Sequence, residues 1–269
     1  MRRVKILLYW IFRARFNVSL PELLQFLKKP TVKNIGSRYI KNITKTDGYE
    51  ISFEPIPDKL YWPGNFPVEG IYQVTAETFD KDDWHFYQKQ HTEIEEGEIL
   101  LDIGTAEGLF PLSVIQKCKQ VFLVEPNKYF FAALQRTFRN YQDKVVLIHS
   151  AVGNKDDIIS LQGESLSGQI SDDLSSGDTV EIHKIDHLIA GHRITYLKAD
   201  IEGFEYEMLK GAAAIIKENK PKIAITTYHP QNNAEEIISL IRSYVPEYKY
   251  YVKGIYDVEC KPVMIHLWC

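Results

Sequence analysis

Residues 100–110 read LLDIGTAEGLF. Leu100, Leu101 and Ile103 make an apolar run that delivers one acid, Asp102, to a turn at Gly104, and Gly108 opens the stretch behind it. The pattern reads as a buried strand, a tight turn and a helix start. Glycine permits the turn and lets backbone come close to a ligand. From here the chain alternates. Strands are expected at 98–104, 120–126, 144–152, 193–201 and 221–229, helices at 108–117, 128–140, 204–218 and 232–243, and two closing strands at 248–252 and 262–268. Apolar strands alternating with helices imply an α/β fold with a mostly parallel sheet covered on both faces. Ligands then bind beyond the carboxyl ends of the strands, near the switch in strand order. Those ends carry Asp102, Glu125, Ser150, Asp200 and His229.

The segments before this core have a different character. Residues 1–46 form a basic helical arm, with Val4, Leu7, Leu8 and Ile11 at helical spacing and a second helix, PELLQFLKK, bounded by Pro21 and Pro30. Residues 47–92 read as a small β cap, with short strands over 47–76 broken by prolines, and a lead-in helix at 80–90. Residues 93–269 make the main domain. Within it, 160–178 is rich in Ser, Gly and Asp and reads as a mobile loop, either a lid over a substrate or plain surface. Tyr61, Trp62, Phe66 and Trp84 are candidates for sugar stacking, but core packing is the stronger reading.

The 269 residues are 45% hydrophobic and 25% charged, as expected of a globular chain, and the net charge is −4. That total hides an asymmetry: residues 1–45 hold eleven Lys or Arg and one acid, Glu22, so the remainder carries −14. A basic arm on an acidic body suits an anionic partner such as membrane lipid, with residues 1–16 lying on its surface, or docking on its own acidic domain or on a second subunit. Nucleic acid is not expected, since the body lacks clustered bases. Cys118, Cys260 and Cys269 show no metal spacing and point to a reducing compartment. The start resembles a secretory leader only superficially, because Arg13 and Arg15 follow a short apolar core. A cytoplasmic location follows, peripheral at the inner membrane face if the arm binds lipid.

A dinucleotide site would favour G-x-G-x-x-G, whose middle glycine makes room for pyrophosphate. Here Thr105, Ala106 and Glu107 separate the two glycines, and a Glu facing a pyrophosphate is unfavourable. S-adenosylmethionine (SAM) carries no phosphate and is cationic at its sulfonium and amino groups, so acids suit it better. Glu125, 23 residues after Asp102, stands where an acid accepts hydrogen bonds from ribose hydroxyls; alternatively it is an acid at the start of the following helix. A third acidic segment, YLKADIEGFEYEMLKGA (196–212), ends a strand at Asp200 and continues through Glu202 to Glu205, the last readable as an acid stabilising a helix start. Lys198 shares a strand face with Asp200, and an ion pair between them is expected.

The blocks LLDIGTAEGLF, VFLVEPN (121–127) and YLKADIEGFEYEMLKGA, in this order, resemble the FkbM family of SAM-dependent methyltransferases. HSAVGN (149–154) and KIAITTYHP (222–230) add to the likeness, which covers roughly 95–245. Family members often carry Asn in the glycine loop, where this chain has Thr105, Ala106 and Glu107. The resemblance implies a Rossmann-like class I methyltransferase sheet of seven strands with an N-terminal helical and β extension. It implies that Asp102, Gly104 and Gly108, with Thr105 and Glu107, line the methionine end of SAM. Glu125, with Pro126 and Asn127, would hold the ribose, and Ser150 and Ala151 would border the adenine. It further implies O-methylation of a sugar hydroxyl in a cell-surface glycan or glycosylated natural product, the chemistry of polysaccharide biosynthesis.

A sugar hydroxyl is a poor nucleophile and benefits from a base, for which Asp200, Glu202 and His229 are the candidates. Asp200 and His229 end neighbouring strands and could share a divalent metal, but one Asp and one His are a thin ligand set, and no metal is predicted. Two other classes stand beside this reading: a NAD-dependent Rossmann oxidoreductase, and a non-catalytic SAM-binding adapter at the membrane. A homo-oligomer is left open.

Overall fold

The computed structural model describes the backbone of residues 2–162, 169–171 and 178–269, and side chains outside 159–178. The chain opens with three helices, α1 (Arg2–Phe12), α2 (Leu20–Lys28) and α3 (Val32–Gly36). A three-stranded antiparallel meander follows: β1 (Ile40–Lys45), β2 (Tyr49–Phe53) and β3 (Lys59–Trp62). Helix α4 (Gly70–Phe79) leads into the main domain.

The large sheet uses β4 (Glu98–Ile103), β5 (Cys118–Val124), β6 (Val145–Ile148), β11 (Tyr196–Ala199), β12 (Lys222–Thr226), β13 (Lys249–Lys253) and β14 (Met264–Trp268). Its order is β13-β14-β12-β11-β4-β5-β6. Neighbours from β6 through β12 pair in parallel, and β14 runs antiparallel to both β12 and β13. The order reverses between β4 and β11, so the crevice for a ligand opens at their carboxyl ends. Helices α5 (Leu109–Val114) and α6 (Lys128–Thr137) follow β4 and β5. Downstream lie α7 (Ile185–Leu188), α8 (Glu205–Gly211), α9 (Ala213–Asn219) and α10 (Ala234–Tyr244).

Alternation along each strand divides the core into two layers. Leu100, Val121, Leu123, Tyr196 and Ala224 face a cluster shared with Leu109 and Phe110 of α5 and Phe130 and Leu134 of α6. Ile6, Leu23, Ile51, Leu60, Trp62 and Ile71 of the N-terminal segments belong to the same cluster. Leu101, Ile103, Phe122, Val124, Leu197, Ile223 and Ile225 face the opposite layer, with Met208, Leu209, Ile216, Ile237 and Ile241 from the late helices.

Several local expectations are corrected. Residues 80–90 form turns and no helix. Asp80 Oδ1 accepts the Asp82 N–H at 3.1 Å and Asp83 Oδ1 accepts the His85 N–H at 2.9 Å, so short acidic side chains compete with helical bonding. The lead-in helix comes earlier, as α4, across residues read as strand, because Ile71, Thr75, Ala76 and Thr78 give it a buried side. The expected strand 144–152 breaks at His149 and Ser150. Its end becomes β7 (Ala151–Val152), which joins a separate four-stranded sheet in the order β7-β10-β8-β9, with β8 (Asp157–Gln162), β9 (Gln169–Ser171) and β10 (Asp178–His183). The loop expected at 160–178 is therefore strand in part; its stretches 163–168 and 172–177 lie outside the described residues. The helix expected at 204–218 is two helices divided at Ala212. Tyr61, Trp62, Phe66 and Trp84 are all buried, as core packing requires.

α3 and α4 touch at Gly36, where an added Cβ would lie 2.2 Å from the Tyr72 carbonyl oxygen and 2.8 Å from its Cα. Backbone cannot move aside cheaply, so Gly36→Ala is expected to cost about 1–3 kcal/mol. The urea midpoint should fall at constant m-value; an unchanged midpoint would mean that α3 is not seated on α4.

Candidate active site

At the carboxyl ends of β4 and β11 a cavity of about 310 Å³ opens, a size suited to a small-molecule ligand. Asp102, Gly104, Thr105, Ala106, Glu107, Glu125, Pro126, Asn127, Ser150 and Ala151 all line it, as do Asp200 and Glu202. His229 is not among the lining residues but stands behind them, 3.1 Å from Glu202 Oε2 through Nε2. Of the residues expected at the site, Gly108 and His229 are the two that do not line this cavity.

Asp102 is fully buried, and Lys198 Nζ lies 2.9 Å from its Oδ1 across the β4–β11 register. The ion pair expected between Lys198 and Asp200 is thus made with Asp102 instead, because Lys198 and Asp102 are direct cross-strand partners. Burial pushes the Asp102 carboxyl up against the pull of Lys198. Burial also opposes the charge on Lys198, yet Asp102 and Asp200 outweigh it and hold the ammonium above its usual range. Lys198 Nζ donates as well to the Gly104 carbonyl at 2.9 Å, which fixes the turn. Gly104 has φ +67°, and a Cβ there would meet the Asp200 carbonyl oxygen at 2.0 Å, so no other residue fits.

Glu125 Oε2 accepts the Ala106 N–H at 2.7 Å and Oε1 accepts the Asn127 N–H at 2.8 Å. Each oxygen keeps a lone pair for a ligand. Burial raises the Glu125 carboxyl to about 7, even though those two N–H groups favour its charge. Glu107 is likewise raised to about 7 by burial. Asn127 caps α6 through Oδ1, which accepts the Tyr129 N–H at 2.9 Å. Ser150 Oγ donates to the Ala151 and Glu181 carbonyls at 2.6 and 3.1 Å, tying the cleft to the second sheet.

Asp200 is the hub of the other half. Tyr87 Oη donates to its Oδ2 at 3.1 Å, Thr226 Oγ1 donates to its Oδ1 at 3.0 Å, and His85 Nε2 stands 3.4 Å from Oδ2. Burial alone would raise this carboxyl, but His85 and Lys198 hold it well below the carboxylate range. Asp200 is therefore a fixed anion that accepts hydrogen bonds and gives no proton uptake near neutrality. Glu205, read as an acid at a helix start, is fully buried and accepts from four groups: the Ile201 and Gly203 N–H (3.1 and 2.9 Å), Asn232 Nδ2 (2.7 Å) and His229 Nδ1 (3.2 Å), with Thr226 Oγ1, whose one proton is shared with Asp200, 3.1 Å away. Between Glu205 and Glu202, His229 is raised to about 10; burial opposes its charge but the two carboxylates prevail. At neutral pH it is an imidazolium, so it holds the site together and is no base there. Glu202 is the least constrained acid, partly exposed, with φ +56°. Asp200, Glu205 and His229 offer ligand atoms within 4.8 Å of one another. The donor set fits a metal poorly: both Glu205 oxygens are already engaged and His229 would have to lose its proton.

Sequence reasoning missed His85, Tyr87 and the α4 wall of Gln73, Glu77 and Thr78. His85 is buried between Asp200 and Glu77, whose Oε2 is 3.8 Å from Nδ1. Burial works against its charge, but Glu77 and Asp200 raise it to about 9. The segment DKDDWHFY held the signal, a His and a Tyr beside three acids, but a helical reading gave them no direction.

A family model described as the methyltransferase FkbM domain matches residues 102–251. Among proteins of curated function none matches the chain. Among solved structures, methyltransferase FkbM from Methylobacillus flagellatus superposes with a TM-score of 0.55 at 21% identity, covering 75% of this chain and 54% of that one. The chain thus spans about half the length of that relative. Precorrin-6y C5,15-methyltransferase from Geobacter metallireducens gives 0.41 at 10% identity, covering 66% and 84%. SMU.1697c from Streptococcus mutans, solved in complex with SAH, gives 0.41 at 11%, covering 65% and 90%.

Both histidines are held charged in the fold at values above the unfolded reference of about 6.5. Their stabilisation is complete below about pH 6.5 and is lost as pH rises through about 9 and about 10. The melting temperature is expected to fall between about pH 6.5 and 10, and this fall should flatten in His85→Gln/His229→Gln. An alkaline slope identical in the double variant would contradict the charged-histidine assignment.

Proposed function

The chain belongs to the FkbM methyltransferase family, and on that premise we propose that it transfers the methyl group of SAM to a hydroxyl oxygen of a sugar, in a cell-surface glycan or a glycosylated natural product. The observation that carries the cofactor reading is the charge of the cleft. Asp102, Glu107 and Glu125 line it, and Lys198, already paired with Asp102, is the one Lys or Arg among its described lining residues. A pyrophosphate would meet net repulsion there, whereas a sulfonium and an α-amino group would not. What supports a sugar is the remaining wall: Gln73, Thr78 and Gln231 offer uncharged hydrogen-bonding groups beside Tyr87 and Tyr228, a lining suited to a polyhydroxylated ring.

When bound, SAM would supply an electrophilic methyl group, with its sulfur as the leaving atom, to the acceptor oxygen. The chain's own groups do the rest. Glu125 accepts the ribose hydroxyls with the lone pairs that Ala106 and Asn127 leave free. Asp102 and Glu107 offset the positive end of the cofactor. Asp200, fixed by His85, Tyr87 and Thr226, accepts a hydrogen bond from the acceptor sugar and orients it. Glu202 takes the hydroxyl proton, and His229, charged and braced by Glu205, aims the Glu202 carboxylate. A braced, partly exposed carboxylate beside the cleft favours catalysis over the adapter reading.

Titration calorimetry with SAM, S-adenosylhomocysteine and NADH tests the class. Binding of the first two, weakened by Glu125→Gln, is expected; a preference for NADH would overturn the proposal. Because Glu107 and Glu125 are raised to about 7, a cationic ligand must displace protons from them. SAM affinity should rise from about pH 6 to about pH 8 with proton release into the buffer, and Glu125→Gln should halve that release. For the acceptor step, production of S-adenosylhomocysteine is measured against nucleotide sugars, lipid-linked glycans and glycosylated small molecules. Glu202→Gln is expected to lower kcat roughly 10²–10⁴-fold with SAM affinity intact; a kcat within about threefold of wild type would remove Glu202 from the proton-transfer role.

A further inference from the structure

The first two helices leave several large apolar side chains uncovered. α1 buries only Ile6 fully, while Val4, Leu8, Ile11 and Phe12 are 47–76% exposed. Positions 4, 8, 11 and 12 fall on one side of a helix, so these side chains form one continuous apolar ridge. α2 adds Leu20 and Leu24, one turn apart and in line with exposed Lys28. Six of the twelve large exposed hydrophobic side chains among the described residues thus lie within the first 24 positions. The others, from Val32 to Val258, are spread along the chain.

The hairpin that carries the ridge is fastened to the body. Within the hairpin, Arg3 donates to the Leu27 carbonyl at 2.8 Å and Trp10 Nε1 donates to the Val18 carbonyl at 2.6 Å; to the body, Asn17 Nδ2 donates to the Val252 carbonyl at 2.8 Å. Buried Lys253 pairs with Glu22. The ridge is therefore presented on a fixed platform. Lys5, at its edge, forms no ion pair among the described residues, and Arg13, Arg15 and Lys28 are exposed nearby in sequence.

We infer that this ridge is a docking surface for an anionic lipid bilayer, with Val4, Leu8, Ile11 and Phe12 in the acyl boundary and the surrounding bases on the headgroups. Charge complementarity selects this occupant. Residues 1–45 carry +10. A second copy docking ridge to ridge would bring two such segments together. A second copy docking arm to body would satisfy charge but would lack an apolar acceptor of similar size among the described residues. A bilayer with acidic headgroups satisfies both the apolar and the charged half of the surface. No helix among the described residues is long and apolar enough to cross a membrane, so the contact is with one leaflet. The inference is independent of the methyltransferase reading.

The test is flotation of the full chain with vesicles of phosphatidylcholine alone or with about 30 mol % phosphatidylglycerol. Binding is expected to the anionic vesicles, weakened by salt, and reduced at least about tenfold by Leu8→Asp/Ile11→Asp/Phe12→Asp. Charge reversal at Lys5→Glu/Arg13→Glu, which leaves the ridge intact, should also weaken it. Thermal melts matching wild type keep either comparison valid, and if the triple variant melts early the charge-reversal pair decides. Absence of binding to anionic vesicles, or binding untouched by the variants, would overturn the inference. So would a wild-type dimer in sedimentation that the ridge variant converts to monomer without any vesicle binding.

Discussion

The cleft depends on one buried ion pair, Lys198 with Asp102, laid across the two strands where the sheet reverses its order. Taking both charges out of water is costly unless they are paired at good geometry and the remaining donors are used. The register between β4 and β11 supplies the pairing, and the Gly104 carbonyl takes another Lys198 proton. The same ammonium therefore sets the shape of the glycine turn and softens the repulsion among Glu107, Glu125 and Asp200. A strand end, a turn and a set of acids are governed from one atom.

Next to that pair the site divides its carboxylates by environment. Glu107 and Glu125 are raised toward neutrality by burial, while Asp200, ringed by His85, Tyr87 and Thr226, is held ionised. The first pair can respond to an incoming cation; the second arrangement cannot respond and so serves as a fixed reference. Two buried histidines give up their usual role as neutral-pH switches to keep this division, each caught between two acids.

The central strands were legible because strands buried on both faces leave near-continuous apolar runs, and β4, β5, β11 and β12 all show them. The acids at their ends were legible for the same reason, since a strand end in a parallel sheet has only one place to point. What failed was local and polar. Around Asp80 and Asp83, side chains bond to nearby backbone, a preference that a periodicity of apolar residues does not register. The break after Ile148 was invisible because Ala151 and Val152 continue the apolar run while pairing with a different sheet. Glu205 reads as an acid stabilising a helix start, and that explanation holds equally well whether the acid faces water or buried donors. His85 was lost with the helix that was expected around it.

The stacking of Phe26 on Trp84, ring centroids 4.4 Å apart, joins the hairpin to the residue immediately before His85. An added Cβ at Gly254 would strike Trp84 as well, so the indole is wedged between the first helices and the last strands. Head and tail of the chain thus close around the segment that positions Asp200. A shortened protein that starts after α2 would keep every strand of the large sheet and every acid of the glycine loop, yet would uncover the indole that backs His85. Trimming further, to the family-matching residues 102–251, would also remove most of β4 and all of β14, two strands of the large sheet itself.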